Sequence, residues 1–518
     1  MATDSQTGGV SWGDRFLSSD LLKALQPYSR LFLLALALLV RLYNLQSPII
    51  GVHSWRQADT AALARNFYEN GLNFFYPQVD WGGNSAGYAE TEFPLYPYAV
   101  ALVYKLLGVS EIYGRAIAII CSLVALFFLF QLVAYVINQG TAFWASFFYA
   151  VLPLSVFYSR TFQPESMVQM ACVIGLYFFV RWLDSERWWH WGVSVLFVAI
   201  ACLLKVLPIA YLGLPLLYLA GVRFRGKLFQ QAALWAYAGL ILAATAAWYY
   251  HAHQIYLTYG HTFGFWGSTT DRYLWTMLLS FRFWGDILLR LAVRHFAVIG
   301  FFLFLGGLWV RRRSAVEGCF DLGLMGVMIS IAIAPTSSYV HEYYQLPFVL
   351  YGVVFIGKAC DAIVQSSWRW RSWALAIAIG LMLTTGSVIY SLDYMRREAI
   401  DSSDVYALAQ QVKALTPTKA LIVSATGGDP TLLYLSHRRG WLIHPDALSA
   451  AQLDAFSAEG ADYLVGSYST IESYTSFDNS AQKQAIRTLI DNRYRPVINS
   501  DQFFIVDIAK GRGMKAEG

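Results

Sequence analysis

About eleven stretches of this chain are apolar for long enough to cross a lipid bilayer, a span needing roughly 20 such residues, and that fact constrains the fold more than any other. Inside hydrocarbon every backbone N–H and C=O must find its partner within the protein, so such stretches fold as helices. They fall near 29–45, 114–137, 141–158, 166–183, 189–205, 207–221, 231–250, 294–311, 319–335, 345–363 and 371–391. Charged residues are only 14% of the chain and hydrophobic ones 57%, which excludes an ordinary soluble domain. The 18 tryptophans suit side chains at the membrane interface. The expected fold is mostly α, a polytopic membrane helix bundle.

Arginine clusters set the expected orientation. With residue 1 on the cytoplasmic side, Arg223, Arg225 and Lys227, then Arg311, Arg312 and Arg313, then Arg369 and Arg371 all lie in short inner loops. An odd number of spans then puts the C-terminal region outside. Residues 93–108 are apolar too, but short and opened by two prolines. Counting them as a span would turn every arginine cluster outward, so they are expected to lie on the outer surface. Residues 1–28 are mixed and polar, with a short amphipathic helix expected at 19–26, and the first span reads as an uncleaved anchor. The five cysteines fall in or beside spans, without the spacing of a disulfide framework or zinc site. The net charge of +5 follows from the inner arginines, so no nucleic-acid partner is expected.

From about residue 395 the pattern changes. Residues 405–415, 429–435 and 482–491 have helical character, and 419–425, 440–444, 462–466, 496–499 and 503–508 read as strands. Strands alternating with helices predict a small α/β domain outside the membrane.

The candidate chemistry gathers in the outer loops. The first, 46–113, carries His53, Arg56, Asp59 and, some thirty residues on, Glu92. Asp59 follows Arg56 by three positions, so a helix sets both on one face. Asp59 is the candidate general base; a surface ion pair with Arg56 is the alternative. Glu92 precedes Phe93-Pro94, where a helix dipole alone also accounts for an anion. Glu165 stands at the start of a span, after a loop that holds Arg160. Lys205 lies between two apolar runs, where a cation ordinarily faces a cavity or an anion, with snorkelling as the alternative. His341 and Tyr344 form a turn before the 345–363 span, and Arg115 opens the second span. A second outer loop, 251–293, holds His251, His253, His261, Asp271 and Arg272 among many aromatics, which suits either a sugar or the lipid interface. No Asp-x-Asp pair occurs, which disfavours a nucleotide-sugar donor, and the stretch 221–227 lacks the Ser/Thr that a phosphate-binding loop requires.

Taken together, these residues resemble the GT-C superfamily of membrane glycosyltransferases, in particular bacterial protein O-mannosyltransferases and lipid A aminoarabinose transferases. The resemblance covers roughly residues 30–360. It rests on a first-loop helix ending Ala64-Arg65, Glu92 with Pro94, Gly114-Arg115, Glu165, Leu204-Lys205, and Tyr344 with Leu346-Pro347. It implies a polyprenyl-phosphate sugar as donor, inversion at the anomeric carbon, and a lipid, glycan or protein as acceptor. It departs at one place: the family's Asp-Glu pair upstream of the matching arginine is here Arg56-Gln57, and the lysine expected after Glu92 is Phe93. Asp59, about one helical turn on, is the replacement inferred here.

The combined expectation is a cytoplasmic segment 1–28, a transmembrane catalytic region 29–393 with outer loops 46–113 and 251–293, and an extracytoplasmic α/β domain 394–518. The protein is placed in the plasma (inner) membrane. Asp59 acts as base. Lys205, Arg56, Arg160, His341 and Arg115 bind the donor phosphate. Glu92, Glu165, His53 and Tyr344 position sugar, acceptor or a cation. No cofactor is firmly expected; a divalent cation is the one candidate. A lipid or sugar transporter and a non-catalytic assembly scaffold are the alternatives. The transporter is disfavoured because no internal repeat accompanies the polar groups.

Overall fold

The computed structural model describes residues 19–264, 274–469, 479–494 and 496–509. It is mostly helical, and a helix occupies each of the apolar stretches read from the sequence. Among the described residues six helices are individually long and apolar enough to cross a membrane, or seven if one bent pair counts as a single span. Of the remaining apolar stretches, 29–45 falls at the end of the Ser19–Arg41 helix, and the others form helices that are shorter or broken.

Two of the breaks have clear causes. The stretch read as 141–158 divides into Gln139–Val151 and Pro153–Tyr158. Pro153 has no N–H to donate, so carbonyls of the preceding turn lose their partners. The fully buried Arg41 takes them up, donating to Ala150 O at 2.8 Å and to Tyr149 O at 3.4 Å. The stretch read as 294–311 is the outgoing arm of the bent pair, Phe281–His295 and Ile299–Trp309, which turns through 105°. The corner is Ala297-Val298, with φ of 50° and 61°, and neither is glycine. Thr385 Oγ1 donates to Ala297 O at 2.9 Å and secures it. No proline or glycine marks this corner, so the sequence gives no warning of it.

Other helix ends follow local rules. Ser110 and Asn138 cap their helices by accepting from Ile112 N at 3.4 Å and Thr141 N at 2.7 Å. Small residues bring helices close: a Cβ on Gly326 would stand 2.5 Å from the Cα of Tyr211, and one on Gly175 would meet Val198. The amphipathic helix expected at 19–26 is instead the start of one continuous helix, Ser19–Arg41. His251 and His253, expected in a loop, ride on the last turns of the Ala232–Tyr259 helix. Asp271 and Arg272 lie outside the described residues.

After the Arg371–Tyr390 helix the chain forms a five-stranded sheet. Strand Leu421–Ser424 pairs in parallel with Arg439–Leu442 on one side and Tyr463–Ser467 on the other. Phe503–Asp507 then runs antiparallel to Tyr463–Ser467, and Pro496–Asn499 antiparallel to Phe503–Asp507. Helices Asp404–Leu415, Thr431–Ser436, Ala450–Ala458 and Asn479–Arg493 accompany it.

The sheet is joined to the 46–113 segment through a strand edge. Gly440 N donates to Asp80 O at 3.0 Å and Gly83 N donates to Gly440 O at 2.7 Å, so the Asp80–Gly83 turn covers the outer edge of Arg439–Leu442. Gly440 is fixed here by space, because a Cβ would fall 1.8 Å from Ile422 O.

Candidate active site

The Ser54–Glu69 helix is polar for its position yet buried on most sides. It opens from His53, whose backbone is left-handed at φ 52°. That conformation turns the chain sharply and sets the His53 ring among Tyr158, His341 and Tyr343, with centroids 6.5, 5.5 and 5.2 Å away. Burial pushes the His53 ring below its ordinary value despite the nearby Glu342, so it is neutral at pH 7.

One turn along, Arg56 forms an ion pair with Glu92. Its guanidinium also lies over the Phe263 ring, 5.2 Å from the centroid. Gln57 is a brace: its side-chain carbonyl accepts from Phe162 N at 3.1 Å and its amide donates to Val52 O at 3.3 Å. Asp59, also buried, accepts a hydrogen bond from Trp81 Nε1 at 2.9 Å. The surface ion pair with Arg56 that the sequence left open is therefore replaced by a buried carboxylate held by an indole. Burial pushes the Asp59 carboxyl up to about 7; Trp81 and Arg56 pull against that, and Asp429 and Asp80 add to it. Such a value suits a base working near neutral pH.

Lys205 follows directly on the Trp188–Leu204 helix. Its Nζ donates to Glu165 Oε1 at 2.6 Å and sits 4.6 and 5.2 Å from the ring centroids of Tyr343 and Tyr344. It points into the protein rather than snorkelling. Glu165 Oε2 is buried and has no hydrogen-bond partner. His341 lies beside Trp55 at 5.2 Å and stacks on Tyr343 at 5.3 Å. Behind this wall Glu342 receives Arg294 at 2.7 Å and the Tyr158 and Tyr394 hydroxyls at 3.0 Å each. Burial alone would raise Glu342, but Arg294 outweighs it and holds the carboxyl below its usual value.

A cavity of about 390 Å³ opens against these groups, with Glu92, Lys205, Thr245, Tyr249, Ser337 and Tyr344 on its walls. A second cavity of about 300 Å³ shares Ile209 and Leu242 with it. The second continues between the Pro208–Phe224 and Ala232–Tyr259 helices as far as Leu228 and Phe229, among almost wholly apolar side chains.

Thus the structure gathers His53, Arg56, Asp59, Glu92, Glu165, Lys205, His341 and Tyr344 into one region. It does not bring Arg115 and Arg160 there. Arg115 donates to the carbonyls of Leu45 at 2.6 Å and Ser47 at 2.5 Å. Arg160 is taken by Glu398 at 2.7 Å and the Tyr390 hydroxyl at 2.6 Å. Arg115 braces the chain that leaves the first helix and Arg160 the chain at and after the end of the Arg371–Tyr390 helix, uses that one sequence cannot separate from anion binding. Trp81, Tyr343, Arg294 and Glu342 were not legible as site residues, since each depends on contacts between distant segments. Among the described residues no group of three or more His, Cys, Asp or Glu is placed to hold a metal ion.

Residues 91–251 match the family model described as dolichyl-phosphate-mannose-protein mannosyltransferase. No curated protein sequence matches the chain. Among solved structures, ArnT from Cupriavidus metallidurans bound to undecaprenyl phosphate aligns with a TM-score of 0.63 at 14% identity, over 92% of this chain and 97% of that one. The Archaeoglobus fulgidus oligosaccharyltransferase in its apo form aligns at 0.59 and 12% identity, over 92% of this chain and 74% of that one. AglB from the same organism, in complex with an inhibitory peptide and a dolichol-phosphate, aligns at 0.58 and 10% identity, over 97% and 77%. The fold is that of the GT-C membrane glycosyltransferases, and within it residues 91–251 carry the sequence pattern of the dolichyl-phosphate-mannose-protein mannosyltransferase family.

Proposed function

We propose that the protein transfers a sugar from a polyprenyl-phosphate-linked donor to an acceptor hydroxyl at the outer face of a membrane, with inversion at the anomeric carbon. The observation that carries this reading is the pair of adjoining cavities: one with Lys205 and the Glu92 carboxylate at its wall, the other apolar along its length. That combination suits an anionic head on a long hydrocarbon tail. The names of the solved relatives, one bound to undecaprenyl phosphate and one to a dolichol-phosphate, support it.

In this mechanism the donor phosphate enters beside Lys205 and competes with Glu165 for it. Arg56, shared between Glu92 and the Phe263 ring, supplies the second cation. Asp59 removes the acceptor's hydroxyl proton. The oxygen attacks the anomeric carbon from the face opposite the phosphate, and the carbon–oxygen bond to phosphate breaks with its electron pair going to the phosphate. The leaving group needs positive charge rather than an acid, which Lys205 and Arg56 provide. Glu165 Oε2, buried without a partner, and Glu92 are placed to accept hydrogen bonds from sugar hydroxyls. His53, His341 and Tyr344 shape the wall behind Lys205, while Arg115 and Arg160 are assigned a bracing role instead of phosphate contact.

The proposed placement is a multi-pass protein of about eleven spans in the plasma (inner) membrane, with the N-terminus cytoplasmic and the 394–518 region extracytoplasmic. The test is purified protein in lipid bilayers, offered a panel of polyprenyl-phosphate sugars, with mass detection of the released carrier. Release of polyprenyl phosphate with one sugar class supports the proposal. A panel left intact while the lipid or sugar crosses the bilayer would favour a transporter.

A further inference from the structure

Asp59 offers one oxygen to Trp81, and Trp81 belongs to the turn that covers the sheet edge. The indole N–H donates to Asp59 Oδ1 at 2.9 Å. The same ring stacks on Phe263, centroids 6.4 Å apart at 29°, and meets His261 edge-on at 5.6 Å. The turn is anchored from both ends. Asp80 receives Arg65 at 2.5 Å and Asn66 at 2.9 Å, both from the Asp59 helix. On the other side Gly83 and Asp80 exchange backbone hydrogen bonds with Gly440, and Arg439 Nη2 donates to Ser85 O at 2.7 Å. A Cβ on Gly83 would strike the Trp441 indole, so the turn lies flat against the sheet.

We propose that Trp81 is a positioning residue for the transfer reaction: its indole N–H fixes the Asp59 carboxylate, and the edge of the Arg439–Leu442 strand in turn fixes Trp81. The proposal rests on the reading of Asp59 as the base. With Oδ1 occupied by the indole, Oδ2 is the oxygen left to take the acceptor proton. Phe263 and His261 keep the indole from rotating away. The sheet thereby becomes part of the catalytic apparatus, because the Asp59 orientation depends on a turn that the sheet holds.

The charged groups facing Asp59 are Arg56 on its own helix, Asp80 in the Trp81 turn and Asp429 in the segment that follows strand Leu421–Ser424. Arg56 favours the carboxylate and the two aspartates oppose it, while the indole N–H stabilises the charged form directly. Removing that N–H therefore raises the proton affinity of Asp59, leaves less base ionised at neutral pH, and allows recovery at higher pH.

The experiment is the pH dependence of kcat for Trp81→Phe in bilayers, beside the parent and Asp59→Asn. Trp81→Phe keeps a ring and loses the donor. Its acid limb is expected to move up by about half a unit to one unit, with roughly three- to tenfold lower kcat below the midpoint, recovery above it, and KM for the donor unchanged. A profile superimposable on the parent's, or a loss that high pH does not restore, overturns the proposal. A second measurement needs no change at Trp81. In the full chain labelled with 5-fluorotryptophan, one fluorine resonance should titrate with a midpoint near that of Asp59, about 7, and become flat in Asp59→Asn. A set of resonances indifferent to Asp59→Asn overturns the proposal even where Trp81→Phe fails to fold. Parental turnover in Asp59→Asn, by contrast, removes the base assignment itself and is distinguishable from either result.

Discussion

Lys205 Nζ, on the wall of the larger cavity, donates to Glu165 Oε1 at 2.6 Å, so the cation proposed to meet the donor phosphate is already neutralised when no donor is bound. Binding must exchange one anion for another. This keeps a buried charge paired at every stage, since leaving either partner alone costs about 3–5 kcal/mol.

Glu165→Gln should release Lys205 and raise affinity for free polyprenyl phosphate roughly threefold or more, because the competing carboxylate is gone. Turnover should fall in the same variant if Glu165 Oε2 holds a sugar hydroxyl. Lys205→Met should weaken binding of both donor and product, and Lys205→Arg should keep part of the activity, having the charge without the geometry. Titration calorimetry with polyprenyl phosphate in nanodiscs checks the affinities, and turnover on the same preparations checks the activities. Parental affinity in Lys205→Met would move the phosphate site to Arg56 and His341.

Asp59 also makes a prediction about stability. Its carboxyl rises from an ordinary 3.8 to about 7 on folding, so between those values the folded state holds a proton that the unfolded chain has lost. Stability then falls as pH rises through that window, because the native state binds more protons there. Asp59→Asn removes this cost. It should raise Tm at pH 8 and have little effect at pH 4, measured by thermal unfolding in the same detergent. A Tm change that is equal at both pH values would show that Asp59 ionises as freely folded as unfolded.

Arg160 and Glu398 should behave as structure. Arg160→Met leaves Glu398 buried and without its arginine, and should cost about 3–5 kcal/mol of stability while donor affinity in the folded fraction stays parental. Arg160→Lys should restore only part of the loss. A weakened donor affinity without loss of stability would return Arg160 to the phosphate site.

Much of the fold was legible because the bilayer imposes one rule on every apolar stretch. The helices at 111–136 and 165–185, and the Pro496–Asn499 strand, lie within a few residues of where hydrophobic length and alternation place them. The corner at Ala297-Val298 was not legible, since tertiary packing imposes left-handed backbone on residues that avoid it. In the site, Lys205 and Glu165 stood out because charge beside apolar sequence is costly and needs a reason, and Asp59 because it follows Arg56 by about one helical turn. Their partners did not: the Glu165–Lys205 contact spans 40 positions, and Trp81 gains its role only through a sheet edge at Gly440. Arg115 and Arg160 misled for the same reason, since a buried arginine that satisfies carbonyls carries the same sequence signal as one that meets a phosphate.

The proposed topology is open to direct labelling. Residue 1 is expected inside and residue 518 outside. The cysteines are all buried and free, so background reaction with a membrane-impermeant thiol reagent should be low. A thiol introduced at the exposed Ser469 should react from the outside, and one at the exposed Ser314 should not. The reverse pattern would turn the molecule over and place the site on the cytoplasmic face.

The central claim is that Asp59 is the base of a transfer from a polyprenyl-phosphate sugar. Its most direct test is turnover by Asp59→Asn, with donor binding measured on the same bilayer preparation. The account predicts donor affinity equal to the parent's and a turnover reduced by about 10²- to 10⁴-fold. Turnover close to the parent's, with donor bound, would contradict it.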